Sequence, residues 1–132
     1  MIAVDTNVVV RLLTADNPAQ TEAARRLFAS EPIWIAKTVL LETVWVLRTS
    51  YSYDERTTRE AITRLLGIGH ISVENSSEVS AALSLAAEGV AIADAIHLTS
   101  IPQGIRFFSF DKSLVKRAAR AGVSGVADAA RR

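Results

Sequence analysis

The chain of 132 residues contains no cysteine. Disulfides, thiolate nucleophiles and cysteine-ligated zinc are therefore excluded, and the composition fits a reducing compartment. No run of about 18 uncharged apolar residues is present, so no segment is expected to span a membrane. The amino terminus has neither the basic start nor the small-residue cleavage site of a signal peptide, and Asp5 interrupts its apolar run. A cytoplasmic protein is expected. Charge of one sign is not in excess either: fifteen Lys and Arg face fourteen Asp and Glu, for a formal net charge of +1. Global charge thus does not announce a nucleic-acid binder. Internal repeats and low-complexity segments are missing too.

What the chain does have is apolar material. A hydrophobic fraction of 49% is enough to fill the core of one domain, expected over residues 1–132. Ile2 to Val4 read as a buried strand. Val8 to Leu13 either continue it, as three consecutive valines favour, or form a helix after the turn and cap formers Asp5-Thr6-Asn7; a strand followed by a short helix is the preferred reading. Asn17 followed by Pro18 and Gln20 predicts a helix start. That helix runs to about Ala29, with Ala23, Ala24, Leu27 and Phe28 inward. Pro32 to Ile35 predict a second strand. Thr38 to about Thr49 predict a helix apolar on almost every side, hence buried. Asp54 caps a helix to Leu66 with Thr58, Ile62 and Leu65 inward and acid-first Glu55/Arg59 and Glu60/Arg64 pairs.

Ile71 to Val73 read as a third strand. Asn75 with Glu78 predicts a capped helix to Glu88. Ala91 to Leu98 form a second nearly all-apolar helix, stopped by Pro102 and Gly104. Arg106 to Phe110 read as a strand, Asp111 begins the last helix, and Gly122 ends it. An edge strand is expected over Val123 to Val126. Strands separated by helices predict an α/β fold with a central parallel sheet and helices on both faces. In such sheets ligands bind beyond the carboxyl ends of the strands, which is where Asp5 and Asp111 fall.

Four carboxylates stand in apolar settings: Asp5 in IAVDT, Glu42 in VLLETV, Asp94 in AIADAI and Asp111 in FFSFD. Singly, Asp5 and Asp111 read as helix caps, and Glu42 or Asp94 as members of ion pairs. An unpaired charge among apolar neighbours is costly to desolvate. If the four converge, two ionised carboxylates about 4 Å apart repel by roughly 4 kcal/mol at an effective dielectric near 20. Either some are protonated or a cation is bound. An acid-rich, all-oxygen site suits Mg²⁺ or Mn²⁺ rather than structural zinc. Such ions activate water and stabilise the leaving oxyanion in phosphodiester hydrolysis.

The ordered set Val-Asp-Thr-Asn, a Glu near position 40 on an apolar helix, Ala-Asp-Ala-Ile-His and Ser-Phe-Asp-Lys-Ser-Leu resembles the PIN-domain ribonucleases, and most closely the VapC-type toxins. The likeness covers Asp5 to Leu114. It implies an α/β/α three-layer sandwich around a five-stranded parallel sheet and Mg²⁺- or Mn²⁺-dependent endonucleolytic cleavage of RNA. Asp5, Glu42, Asp94 and Asp111 would be the catalytic, metal-binding acids, with Asp5 and Asp94 the most direct ligands. Asn7 and Ser109 would orient the carboxylates by hydrogen bonds; Ser109 stands where the family often has Thr. Such toxins usually form homodimers and are neutralised by a co-encoded antitoxin.

His97 lies three residues after Asp94 on the same helical face and is either a substrate contact or a packed histidine. His70 reads as structural. From Arg106 onward seven basic residues (Arg106, Lys112, Lys116, Arg117, Arg120, Arg131 and Arg132) face only Asp111 and Asp128. Lys112, Lys116 and Arg120 share a face and are either an RNA-backbone track or a solvated helix surface. Arg11 reads as a contact to RNA or antitoxin, or as surface. Tyr51 and Tyr53 read as base-stacking platforms or, preferably, as loop or dimer contacts, and Trp34 and Trp45 as core or interface. Two other functions stay open. A phosphatase or receiver-like domain using Asp5 as phospho-acceptor is disfavoured by Asn7, where dehalogenase-type phosphatases have a second Asp. The other is a non-catalytic interaction module.

Overall fold

A computed structural model describes residues 1–131; the expectation for Arg132 lies outside them. The chain forms two compact units, Met1–Ser76 and Ser77–Arg132. In the first, β1 (Ile2–Ala3) leads into α1 (Thr6–Thr14) and α2 (Pro18–Ser30). Then come β2 (Ile33–Ile35), α3 (Lys37–Thr49), α4 (Glu55–Leu66) and β3 (Ile71–Val73). The three strands pair in parallel in the order β1-β2-β3, with Ile2 opposite Ile33 and Ile33 opposite Ile71. Ile33 and Ile35 are completely buried. The turn signals act as written: the Asn17 side chain accepts from the Gln20 amide at 3.1 Å, and Asp54 from the Thr57 amide at 2.7 Å.

The helices of this unit separate an inner from an outer face by their spacing. Thr58, Ile62 and Leu65 of α4 are buried, as the pattern predicts. On α2 the buried set is Thr21, Ala24 and Phe28, so Ala23 turns outward, contrary to expectation. α3 departs further. Leu40, Thr43, Val44 and Leu47 are buried, but Trp45 is 63% exposed and Glu42 is exposed as well. A helix apolar almost all round is therefore only half buried, because α1 and α4 pack on it and leave one stripe open. The Glu60 side chain pairs with Arg56 at 3.0 Å rather than with Arg64, which reaches the Glu60 carbonyl instead.

The second unit contains α5 (Ser76–Ala87, starting at the boundary), α6 (Ile92–Thr99), β4 (Phe107–Ser109), α7 (Lys112–Arg120) and β5 (Val126–Asp128). A 3-10 turn, Ala129–Arg131, follows. β4 and β5 are parallel, Phe107 lying opposite Val126, and α7 packs on both. The expected edge strand is present but starts at Val126 rather than Val123. The left-handed Gly122 and Gly125, at φ 81° and 80°, extend the turn before it. Asn75 also adopts a left-handed φ of 50° instead of the extended conformation of a capping residue. All described strands are parallel and alternate with helices, so the α/β class holds. No described helix is long and apolar enough to cross a membrane.

Candidate metal and phosphate site

Asp5 follows β1 and opens α1. Its backbone is extended (φ −82°, ψ 164°), and its carbonyl accepts the amides of Val8 and Val9. Its carboxylate Oδ1 accepts the Thr6 amide at 2.8 Å. Thr6, Val9 and Val10 bury the inner face of α1, which leaves Asn7 and Arg11, four residues apart, on a more open face. On α3, Glu42, Val46 and the capping Ser50 follow at the same spacing. Where α1 meets α3 these faces line one cleft of about 410 Å³. Its wall includes Asp5, Thr6, Asn7, Arg11, Glu42 and Tyr51. Of the acids expected to act together, the first unit thus brings Asp5 and Glu42 to one surface, with Asn7 and Arg11 beside them.

The premise of apolar burial needs correction. Asp5, Glu42 and Asp111 are exposed and Asp94 is half-buried. Val4 and Leu40 are buried while Asp5 and Glu42 are exposed, and Phe110 beside Asp111 is itself exposed, so desolvation alone does not demand a cation. What marks Asp5 and Glu42 is different. They share a cleft with Arg11, yet neither forms an ion pair with it. In addition, Thr6, only 6% exposed, is part of the cleft wall, and its buried hydroxyl has no hydrogen-bond partner among the described residues. A buried hydroxyl is seldom left without one.

Within each unit, among the described residues, no three His, Asp or Glu side chains gather closely enough to enclose a metal ion. Mg²⁺ does not need such a cage. It keeps several waters and binds through one or two carboxylates plus substrate phosphate. Two carboxylates without cationic partners and an idle hydroxyl fit that donor set, and the absence of sulfur ligands does not suit structural zinc. Asn7 makes no hydrogen bond to Asp5, whose Oδ1 is instead engaged by the Thr6 amide.

Arg11 is held firmly. Its Nε donates to Gln20 Oε1 at 2.6 Å, and its Nη1 donates to the Tyr51 hydroxyl at 2.9 Å and to Asp16 Oδ1 at 3.3 Å. The Tyr51 hydroxyl in turn donates to Asp16 Oδ2 at 2.6 Å. That bond, helped by Thr14 and by the Arg11 charge, holds the Asp16 carboxyl below its ordinary pKa of 3.8 against a smaller effect of burial. Tyr51 is fixed from its own side. The Tyr53 amide donates to Leu47, Arg48 donates to the Tyr53 carbonyl at 2.7 Å, and the Tyr51 and Tyr53 rings meet edge to face at 6.3 Å. Asp16 and Gln20 were not among the candidate site residues that the sequence pointed to, and Tyr51 was expected as a base-stacking, loop or dimer contact rather than as a partner of Arg11. Arg11 and Tyr51 are 40 positions apart, and no local pattern links them.

In the second unit Asp94 lies in the first turn of α6, and His97, one turn on, is exposed. Asp111 caps α7, its Oδ1 accepting the Leu114 amide at 3.1 Å. The Ser109 hydroxyl accepts the Asp111 amide at 3.0 Å; it positions the backbone of Asp111 rather than its carboxylate. Lys112, Lys116 and Arg120 are all exposed on α7, opposite its buried Leu114 and Ala118. The other described basic residues of this stretch are engaged: Arg117 with the Gly89 carbonyl, Arg131 with Asp128, and Arg106 over the Phe108 ring at 5.4 Å. Phe110, beside Asp111, is 79% exposed. In the first unit His70 bonds the Phe28 carbonyl at 2.8 Å, the structural role expected for it.

Comparison with known families matches residues 2–120 to the PIN domain. No curated protein matches the chain.

Proposed function

Because the chain belongs to the PIN domain family, whose members are generally nucleases and hence hydrolases, we propose that it is a Mg²⁺- or Mn²⁺-dependent endoribonuclease. The observation that carries this reading is the cleft where, among the described residues, Asp5 and Glu42 have no cationic partner and the buried Thr6 hydroxyl in its wall has no hydrogen-bond partner. A divalent ion held there by Asp5 and Glu42 would supply Lewis-acid activation of water and charge stabilisation at the phosphate. Asp5, its carboxylate oriented by the Thr6 amide, and Glu42 hold the ion. Arg11, a planar donor suited to paired phosphate oxygens, contacts the RNA backbone. Asp94 and Asp111 carry the same metal-binding role by resemblance, with His97 as a substrate contact. Lys112, Lys116 and Arg120 bind flanking phosphates.

The biological setting proposed with this activity is a toxin of a toxin–antitoxin pair. The chain acts as a homodimer in the cytoplasm and is restrained by a co-encoded antitoxin. The test uses purified protein, total RNA, and Mn²⁺ or chelator. Cleavage is expected with Mn²⁺ only. Asp5→Asn, Glu42→Gln, Asp94→Asn and Asp111→Asn each should lose more than the roughly ten- to hundredfold that outer contacts to a metal site cost. Full activity of folded Asp5→Asn refutes the assignment.

A further inference from the structure

Arg11 lines the same cleft as Asp5 and Glu42, yet its guanidinium is spent elsewhere. A long, flexible cation beside two exposed carboxylates would ordinarily swing onto one of them. Here three side chains intercept it. Gln20 takes Nε, while Tyr51 and Asp16 share Nη1. The Tyr51–Asp16 bond closes the ring of contacts. Asp5 and Glu42 are left with no cationic partner.

The backbone is bent to make this possible. Ala15, next to Asp16, and Ser52, next to Tyr51, both adopt φ 53°, a left-handed conformation unfavourable for residues with a Cβ. Strain of this kind persists only where surrounding contacts over-determine it, and it clusters at functional sites. It sits on both sides of the bond that joins residues 16 and 51. The turn bearing Tyr51 is anchored again through the Tyr53 amide to Leu47 and through Arg48 to the Tyr53 carbonyl.

We propose that Tyr51, Asp16 and Gln20 are positioning residues that hold the Arg11 guanidinium away from Asp5 and Glu42. Both carboxylates then stay available to a divalent cation, and the guanidinium stays available to substrate phosphate. The inference rests on the metal-dependent reading above and adds a device to it. Two acids and a neighbouring cation are kept from neutralising one another until substrate arrives. The competing carboxylate is Asp16, which accepts from both the Arg11 guanidinium and the Tyr51 hydroxyl.

The test is Mn²⁺ binding to the full chain without RNA, followed by titration calorimetry across four proteins: wild type, Tyr51→Phe, Arg11→Gln and the double variant. Tyr51→Phe removes one hydroxyl and changes no charge. Freed from Tyr51, Arg11 competes for Asp5 or Glu42. Mn²⁺ affinity should then fall about fivefold, the factor a single exposed ion pair can supply. In the Arg11→Gln background the same Tyr51→Phe change should leave affinity unaltered, because the competitor is gone. An equal loss in both backgrounds means that Tyr51 only supports the fold, and overturns the inference. Mn²⁺ bound by wild type with no change in Tyr51→Phe overturns it too, while leaving the metal-dependent reading standing. Wild type that binds no Mn²⁺ at millimolar concentration overturns both.

Discussion

Replacing Ala15 by glycine should make the protein more stable, although the change deletes a methyl group and adds freedom to the unfolded chain. Ala15 closes α1 at φ 53°, ψ 30°, with its amide bonded to the Arg11 carbonyl at 3.1 Å. A left-handed conformation costs an L-residue about 1–2 kcal/mol that glycine does not incur. Against this, glycine loses about 0.4–1 kcal/mol more chain entropy on folding. Ala15 is exposed, so little packing is lost. The net gain is about 0.5–1 kcal/mol. For a chain of this length, that is a rise in Tm of about 2–4 °C.

The assay is thermal and urea unfolding, with Ala23→Gly as control. Ala23 is exposed within regular α2, and there glycine should cost about 1 kcal/mol. The two substitutions are chemically identical and should shift stability in opposite directions. If Ala15→Gly destabilises as much as Ala23→Gly, the backbone at position 15 is not left-handed. The strain argument around Arg11 then falls with it.

Other outcomes follow from charge. If Lys112, Lys116 and Arg120 track RNA phosphates, Lys116→Ala should weaken RNA binding across sequences. It should also flatten the dependence of log affinity on log salt by about 0.7, the value of one phosphate contact on a single strand; an unchanged slope removes Lys116 from the track. Asp16 and Asp54 both have carboxyls lowered below 3.8, Asp16 chiefly by the Tyr51 hydroxyl and Asp54 chiefly by the Thr57 side chain and amide. A lowered native pKa means that the unfolded chain binds more protons. The contribution is therefore complete well above pH 3.8 and is lost as pH falls through the native values. Stability of Asp54→Asn, followed by denaturant unfolding from pH 6 to pH 2, should fall less steeply with acid than that of wild type. A parallel pair of curves contradicts the assigned shift.

The element order was legible before any coordinates because the chain marks its own boundaries. Asn17-Pro18 and Asp54 open helices by capping amides that would otherwise be unbonded, and apolar spacing at 58, 62 and 65 names the inner face of α4. These are local effects, settled within a turn of helix. The four acids were also legible as unusual, through their apolar neighbours in sequence.

Sequence was misleading about which way those acids face. An apolar neighbour two positions away lies on another side of a helix, so VLLETV describes a buried Leu40 and an exposed Glu42 at once. The same blindness made α3 look wholly buried when only the packing of α1 and α4 decides which stripe is covered. Ser109 could be named as Asp111's partner, but not that its hydroxyl meets the amide rather than the carboxylate.

The amino-acid order alone settled the α/β class and the helix starts at Asn17 and Asp54, because caps, periodicity and strand runs act over a few residues. Folding was needed to bring Tyr51 across 40 positions to Arg11, to set Asp16 and Gln20 around the same guanidinium, and to leave Thr6 with an idle hydroxyl beside Asp5. Those are meetings between distant segments, and their geometry depends on how α1 and α3 lie against each other, which no local pattern encodes.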